Sequence, residues 1–227
     1  WASDCAIEFI QNRVSDSSPW LLNLNVYDPH PPFIPPKAYA DRFEPADMPG
    51  PHFRPSDLDQ QAKLAELDFQ DEIRTPQEHD AHRVQALYYA MIAQIDDQLA
   101  RILSTLEATG QRENTIIVFF SDNGGKVTGK ARGGGGEFKL TSMHPLRGEK
   151  GQIREGGIRV PCIFRWKGTI QEKQVSRTPI ISNDFFPTML SLAGLSVKKG
   201  NPVDGMDITE LLKGGTIDRN QITWFMP

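Results

Sequence analysis

The stretch Thr115-Ile116-Ile117-Val118-Phe119-Phe120-Ser121-Asp122-Asn123-Gly124-Gly125 decides the fold of this 227-residue chain. Its first six residues are all β-branched or aromatic, with no polar alternation. That pattern predicts a strand covered on both faces, as in a parallel sheet between helix layers. The strand stops at an Asp-Asn pair followed by two glycines. Upstream, Thr75-Pro76-Gln77-Glu78 combines an N-cap threonine, a proline at the first helical position and a glutamate two residues further on. Val84, Leu87, Tyr88, Met91, Ile92, Ile95, Leu99, Ile102, Leu103 and Leu106 then recur at helical spacing, and Gly110 is placed as the stop. A long amphipathic helix leading into a buried strand predicts an α/β protein. Its central sheet should be mostly parallel or mixed, flanked by helices.

Working outward, residues 1–18 predict a short amphipathic helix, with Ala6, Ile7, Phe9, Ile10 and Val14 on one face. Trp20 to Tyr27 predicts a second, mostly buried strand, ended by Asp28-Pro29-His30-Pro31-Pro32-Phe33-Ile34-Pro35-Pro36. Five prolines in eight residues exclude helix and central strand there. From that point to Arg74 the chain is rich in proline and aspartate, which predicts a surface excursion with little regular structure. Residues 124–142, with Gly133 to Gly136 in a row, predict a mobile loop. Arg159 to Arg165 predicts another short strand. Asp184 to Ala193 and Ile208 to Leu212 predict helices stopped by Gly194 and Gly214, and Ile222 to Phe225 the start of a last strand.

Composition narrows the function. Lys and Arg total 25 against 29 Asp and Glu, a net charge of −4, and phosphate neutralisation needs a basic face. Nucleic acid is therefore not an expected partner. No apolar run approaches the length of a membrane span. Cys5 and Cys162 make neither a disulfide framework nor a metal-ligand spacing. No Asn-x-Ser/Thr acceptor and no basic-then-apolar leader is present, so any targeting segment is expected to be absent or to lie outside these residues.

Three constellations could carry chemistry at the carboxyl ends of strands, where ligands bind in open α/β sheets. Asp122 and Asn123 offer adjacent oxygen donors of the type Ca²⁺ or Mg²⁺ takes; the competing reading is a strand-end turn capped by its own side chains. His30, held between Pro29, Pro31 and Pro32, is a pre-oriented imidazole suited to proton donation or anion contact, or else an ordinary loop histidine. Pro145-Leu146-Arg147-Gly148-Glu149-Lys150-Gly151-Gln152-Ile153-Arg154-Glu155-Gly156-Gly157-Ile158-Arg159-Val160-Pro161 has glycines that let backbone and the Lys150 ammonium approach an anion; alone it could be a solvated basic loop. Two patterns are set aside. Gly124 to Ala131 has phosphate-loop spacing, but no Ser or Thr follows Lys130 and a glycine tract cannot open a helix. His79 and His82 lack a third ligand.

In their order along the chain these segments resemble the sulfatase family of the alkaline phosphatase superfamily. The resemblance rests on Asn25 to Phe33, Phe119 to Gly124, Pro145 to Gly151 with Glu155 to Pro161, Asp184 to Gly194, and Asp204-Gly205-Met206-Asp207. It implies that Asp122 and Asn123 ligate a divalent cation, usually Ca²⁺ and less often Mg²⁺. It further implies that Lys150 contacts the sulfate and that His30 contacts the sulfate or its bridging oxygen. His144 stands where many relatives have Asn, and would tune substrate choice. The family nucleophile is a formylglycine made within Cys/Ser-x-Pro/Ala-x-Arg. Neither cysteine fits that motif, and Ser17 and Ser191 satisfy its third position but lack the Arg. The expectation is a partial sulfatase catalytic domain over residues 1–227. The nucleophile-bearing part would lie outside it, and a C-terminal subdomain would just begin after about residue 215.

The implied activity is metal-assisted hydrolysis of a sulfate ester on a small molecule or carbohydrate, with the chain alone inactive. A periplasmic or secreted setting follows from the resemblance only. Two alternatives stay open. One is a phosphodiesterase or phosphonate monoester hydrolase of the same superfamily, against which Asn123 in place of His argues. The other is a non-catalytic sulfate- or sugar-binding module. If the sheet is parallel at this edge, His30, Asp122 and Lys150 should open onto one cleft.

Overall fold

The computed structural model describes residues 1–50, 77, 80–125, 128–131, 135–139, 143–219 and 221–223. Helix α1 (Ala2–Asn12) forms where the apolar spacing predicts it, and buries Ala6 and Ile10. It packs on a long helix, here α3 (Ala81–Ala108). The contact is tied by Arg101 to Asp4 at 2.7 Å and by the Gln111 amide to the Ile10 carbonyl at 2.9 Å. Between them in sequence, α2 (Lys37–Ala40) and a 3₁₀ turn at Pro45–Asp47 lie against α3, so the described part of the excursion holds two short helical pieces. Phe33 meets Tyr88 edge-on at 5.8 Å, which docks the proline-rich segment on the same helix.

The helix begins later than the Thr75-Pro76-Glu78 signal, which lies outside the described residues, as does His79. Its N-cap is Asp80, in the left-handed region at φ 48°. The predicted stripe is only partly buried. Ala86, Ala90, Met91 and Leu106 are covered, whereas Ile92 is 40% exposed.

Strand β1 (Ile117–Phe120) pairs antiparallel with β4 (Cys162–Arg165), from Ile117 opposite Arg165 to Phe120 opposite Cys162. The expected mixed sheet accommodates this pair, but full coverage of β1 is not observed. Phe119 and Phe120 are 44% and 41% exposed, so the described residues supply only part of the cover. Arg165 anchors the sheet to the turn after α3, donating to the Arg112 carbonyl at 2.9 Å and to Glu113 at 3.0 Å. Lys167 also pairs with Glu113. These contacts, Lys167 first, hold the Glu113 carboxyl below its ordinary range.

Three expectations change. Trp20 to Tyr27 is neither a strand nor mostly buried; none of its residues is buried, with Leu21 and Tyr27 well exposed, and it pairs with no neighbour among the described residues. The glycine-rich loop at 124–142 contains a hairpin, β2 (Thr128–Ala131) with β3 (Gly135–Lys139), irregular between Lys130 and Ala131. Its backbone register sets Lys130 opposite Glu137. Of the last predicted strand, Ile222 and Thr223 are irregular, while Trp224 and Phe225 lie outside the described residues.

The C-terminal third is organised by one buried carboxylate. Asp184, fully buried, precedes α5 (Phe185–Leu192) and accepts the Ile181 N–H at 2.8 Å, the Met206 N–H at 2.9 Å and the Arg219 guanidinium at 2.6 Å. The Thr188 hydroxyl donates to the Asp184 carbonyl and accepts the Ile208 N–H at 3.0 Å. Residues 206–219, including α6 (Thr209–Leu212), are thereby stapled onto α5. Phe185 in turn meets Phe120 edge-on at 4.6 Å and Phe164 at 5.8 Å, joining this unit to the sheet. Among the described residues the strands form two antiparallel pairs, flanked by helices, and the chain is α/β.

Candidate functional site

Beyond β1 the chain turns at Ser121, whose hydroxyl donates to the Asn123 carbonyl at 3.0 Å. Asp122 is exposed and accepts a hydrogen bond from the Asn123 amide, so the two side chains sit side by side at the end of the strand. The next residue is buried between backbones. A Cβ on Gly124 would come 2.0 Å from the Gly156 carbonyl oxygen and 2.7 Å from the Gly157 Cα. The Gly124 N–H donates to the Gly157 carbonyl at 2.9 Å, and the Lys150 N–H donates to the Gly125 carbonyl at 3.0 Å. Only glycine permits this approach, so the Asp-Asn strand end and the 145–161 segment form one backbone-locked unit.

The loop itself is equally close-packed. Gly148 at φ +85° and Gly151 at φ +87° make turns that side chains resist. Gly156 donates its N–H to the Arg147 carbonyl at 2.7 Å, and a Cβ there would lie 2.2 Å from the Gly148 oxygen. Helix α4 (Glu155–Ile158) closes the segment, with Glu155 paired to Arg159 at 3.1 Å. Lys150 is half-buried, and no carboxylate pairs with it among the described residues. Asp122 and Lys150 therefore belong to the same locked unit.

His30 is built differently. Its N–H donates to the Tyr27 carbonyl at 3.1 Å, its ring lies 4.9 Å from the Tyr27 ring, and Nδ1 lies 2.8 Å from the Pro31 carbonyl oxygen. A carbonyl only accepts, so Nδ1 carries a proton and Nε2 is left for another partner. The imidazole is oriented, as the flanking prolines predict. Its described contacts stay within residues 27–31, and the antiparallel β1–β4 pair does not supply the parallel edge that would bring it beside Lys150. His144 is exposed, precedes Pro145 through a cis peptide bond, and engages in an interaction of its own. His82 lies 3.2 Å from the Pro45 carbonyl, a packing role at the start of α3.

Asp122 and Asn123 are hard oxygen donors and fit two positions of a hard divalent cation. Among the described residues no group of three or more His, Cys, Asp or Glu gathers around them. A formylglycine does not fit either cysteine. Cys5 lies exposed on α1, and Cys162 sits in β4, where burial pushes its thiol up. Sequence reasoning missed the buried Asp184–Arg219 pair, because 34 intervening residues hide the partnership.

A sequence profile of the sulfatase family matches residues 3–195. The chain is 33% identical over 178 residues to a sulfatase of Formosa agariphila, covering 72% of this chain and 30% of that protein. It thus spans less than a third of that relative's length. Among solved structures, Ps i-CgsB in complex with k-i-k-neocarrahexaose matches 94% of this chain and 38% of its own, at TM-score 0.69 and 24% identity. The phosphonate monoester hydrolase of Agrobacterium radiobacter matches 96% of this chain and 43% of its own, at TM-score 0.68 and 28% identity. These likenesses give the alkaline-phosphatase-like α/β fold, and family members generally use a metal ion and a formylglycine. The matched span contains the glycine-locked strand end, the 145–161 loop and all of α5, and with it the chain belongs to the sulfatase family.

Proposed function

We propose that this chain supplies the cation-binding strand end and the sulfate-contacting loop of a sulfuric ester hydrolase. The observation that carries the reading is the backbone lock of Lys150 N–H on Gly125 and Gly124 N–H on Gly157, which joins the backbone of the Asp122-Asn123 strand end to that of Lys150. Asp122 and Asn123 would hold a divalent cation, Ca²⁺ before Mg²⁺, supplying Lewis-acid stabilisation of charge developing on sulfate oxygens. Lys150, half-buried and close to the same strand end, neutralises the sulfate as a point charge that needs no reorganisation. His30 presents Nε2 toward the sulfate or its bridging oxygen. His144 contacts the rest of the substrate, a sulfated small molecule or carbohydrate. The residues present offer no nucleophile, so S–O cleavage requires one from elsewhere.

The test pairs binding with turnover. Sulfate titrated into the chain should shift the Lys150 and Gly124 amide resonances, and Lys150→Ala should abolish those shifts. The chain should not hydrolyse an aryl sulfate above background. Turnover that Lys150→Ala abolishes would overturn the nucleophile argument. Methylphosphonate binding more tightly than sulfate would instead favour the phosphonate hydrolase reading suggested by the Agrobacterium structure.

A further inference from the structure

The 145–161 segment is cationic in an acidic protein. It carries four cations against two carboxylates, whereas the whole chain has a net charge of −4. Glu155 is tied to Arg159, and Glu149 has a partner of its own. Arg147, Lys150 and Arg154 remain, and no carboxylate pairs with any of them among the described residues. Their placement follows from the glycines. A Cβ on Gly148 would lie 2.8 Å from the Arg154 Cβ and 3.5 Å from its Cδ, so the Arg154 stem crosses directly over Gly148, the neighbour of Arg147. The Arg147 carbonyl accepts the Gly156 N–H at 2.7 Å and the Arg154 carbonyl accepts the Gly157 N–H at 2.8 Å. Both arginines thus spring from backbone locked to the Asp122 strand end, and both are exposed.

We infer that Arg147 and Arg154 form a second anion subsite beside Lys150, which takes a second sulfate ester on the same carbohydrate. The inference rests on the reading of Lys150 as the contact to the scissile sulfate. A single sulfate is served by one ammonium and one cation. Two further guanidiniums on the same turn exceed that need, and their planar forks match the oxygens of a second tetrahedral oxyanion. Fixed backbone beneath both arginines lowers the ordering cost of binding. The subsite therefore selects saccharides bearing at least two sulfates over monosulfated ones.

The experiment titrates the chain with glucosamine 6-sulfate and with glucosamine sulfated at N2 and O6, followed by amide shifts of Lys150 and Gly157. The disulfated sugar should bind about tenfold more tightly, as one extra charge-assisted contact provides. The double variant Arg147→Gln, Arg154→Gln should bring the two sugars to parity and leave the monosulfated one unchanged. Lys150→Gln should weaken both. Equal binding of the two sugars by the unaltered chain, or equal loss of both in the arginine variant, would overturn the subsite. An arginine-dependent preference that survives Lys150→Gln, with monosulfate binding unaffected, would leave the subsite standing and remove the Lys150 reading. Binding of neither sugar removes both. A single-stranded DNA 12-mer that binds as well as the disulfated sugar, and loses that binding in the arginine variant, would make the patch unselective and overturn the inference.

Discussion

Asp122 and Asp184 each sit at the edge of the sheet region, and they are opposites. Asp184 is fully buried, and its two oxygens are satisfied by two backbone N–H groups and the Arg219 guanidinium, itself only 7% exposed. Asp122 is exposed, and a single neighbouring amide meets it. A carboxylate whose acceptor sites are all filled from within the chain holds structure together. One held on rigid backbone with lone pairs to spare is available to a cation. Sequence alone makes the two look alike, since each is followed by a residue run that matches the family.

The largest effect should come from breaking the filled carboxylate. Arg219→Met leaves Asp184 buried without its counter-charge, a loss of about 3–5 kcal/mol in comparable pairs. Urea unfolding should show that fall in midpoint, whereas Asp122→Ala should stay within about 0.5 kcal/mol, as surface changes do. Similar losses at both positions would break the comparison.

The glycine lock should come next. Gly156→Ala forces a methyl against the Gly148 carbonyl and should cost about 1–3 kcal/mol as overpacking does. It should also speed hydrogen exchange at the Gly124 and Lys150 amides, which are bonded across the lock. Gly151→Ala meets nothing within 4 Å, so its cost should be limited to the left-handed backbone, about 1–2 kcal/mol. Slow exchange at both amides in Gly156→Ala would show that the loop can re-seat itself.

The availability of Asp122 is read by calcium. Two protein oxygens are far short of the six to eight ligands Ca²⁺ takes, so calorimetry should give a dissociation constant of about 1 mM or weaker. Asp122→Ala should remove that binding, and Arg219→Met should not, provided the strand end stays folded. Micromolar affinity would mean that a fuller ligand set gathers around Asp122.

The sequence carried local features well and partnerships poorly. Helices α1 and α3 were legible because periodic apolar residues and Gly110 act within one turn of themselves. The Asp122-Asn123 strand end and the Lys150 loop were legible as motifs, yet their joining through Gly124, Gly156 and Gly157 was not, because glycine pairs leave no side-chain pattern. The strand expected at Trp20 to Tyr27 finds neither burial nor a ladder among the described residues; a strand is a property of two segments, and one sequence window shows only one. Arg219 was silent for the same reason, being an ordinary basic residue until Asp184 is placed beside it. The glycine tract read as a loop because glycine weakens strands, but backbone register in a short hairpin overrode that weakness.

The smallest expected effect separates a third aspartate from the other two. Asp207 accepts the Thr209 N–H at 2.8 Å and the Thr209 hydroxyl, with Ser191 as a further donor. Burial pushes this carboxyl up, but the hydrogen bonds from Ser191 and Thr209 outweigh it and hold the group below its ordinary 3.8. A carboxyl whose folded value is depressed adds stability above its unfolded value and loses it as pH falls through the folded one. Asp207→Asn keeps an oxygen acceptor for Thr209 while removing the charge, so the stability difference between it and the unaltered chain isolates the titration. That difference should be constant from about pH 7 to pH 5, of order 0.5 kcal/mol because water screens an exposed carboxylate, and should close below about pH 4. Asp4, Asp16 and Glu113 are also held low, so the acid limb of the unaltered chain alone would not assign the effect. A difference that keeps its size down to pH 2 would make Asp207 a neutral-acceptor site, closer to Asp184 as a structural group than to Asp122 as an available one.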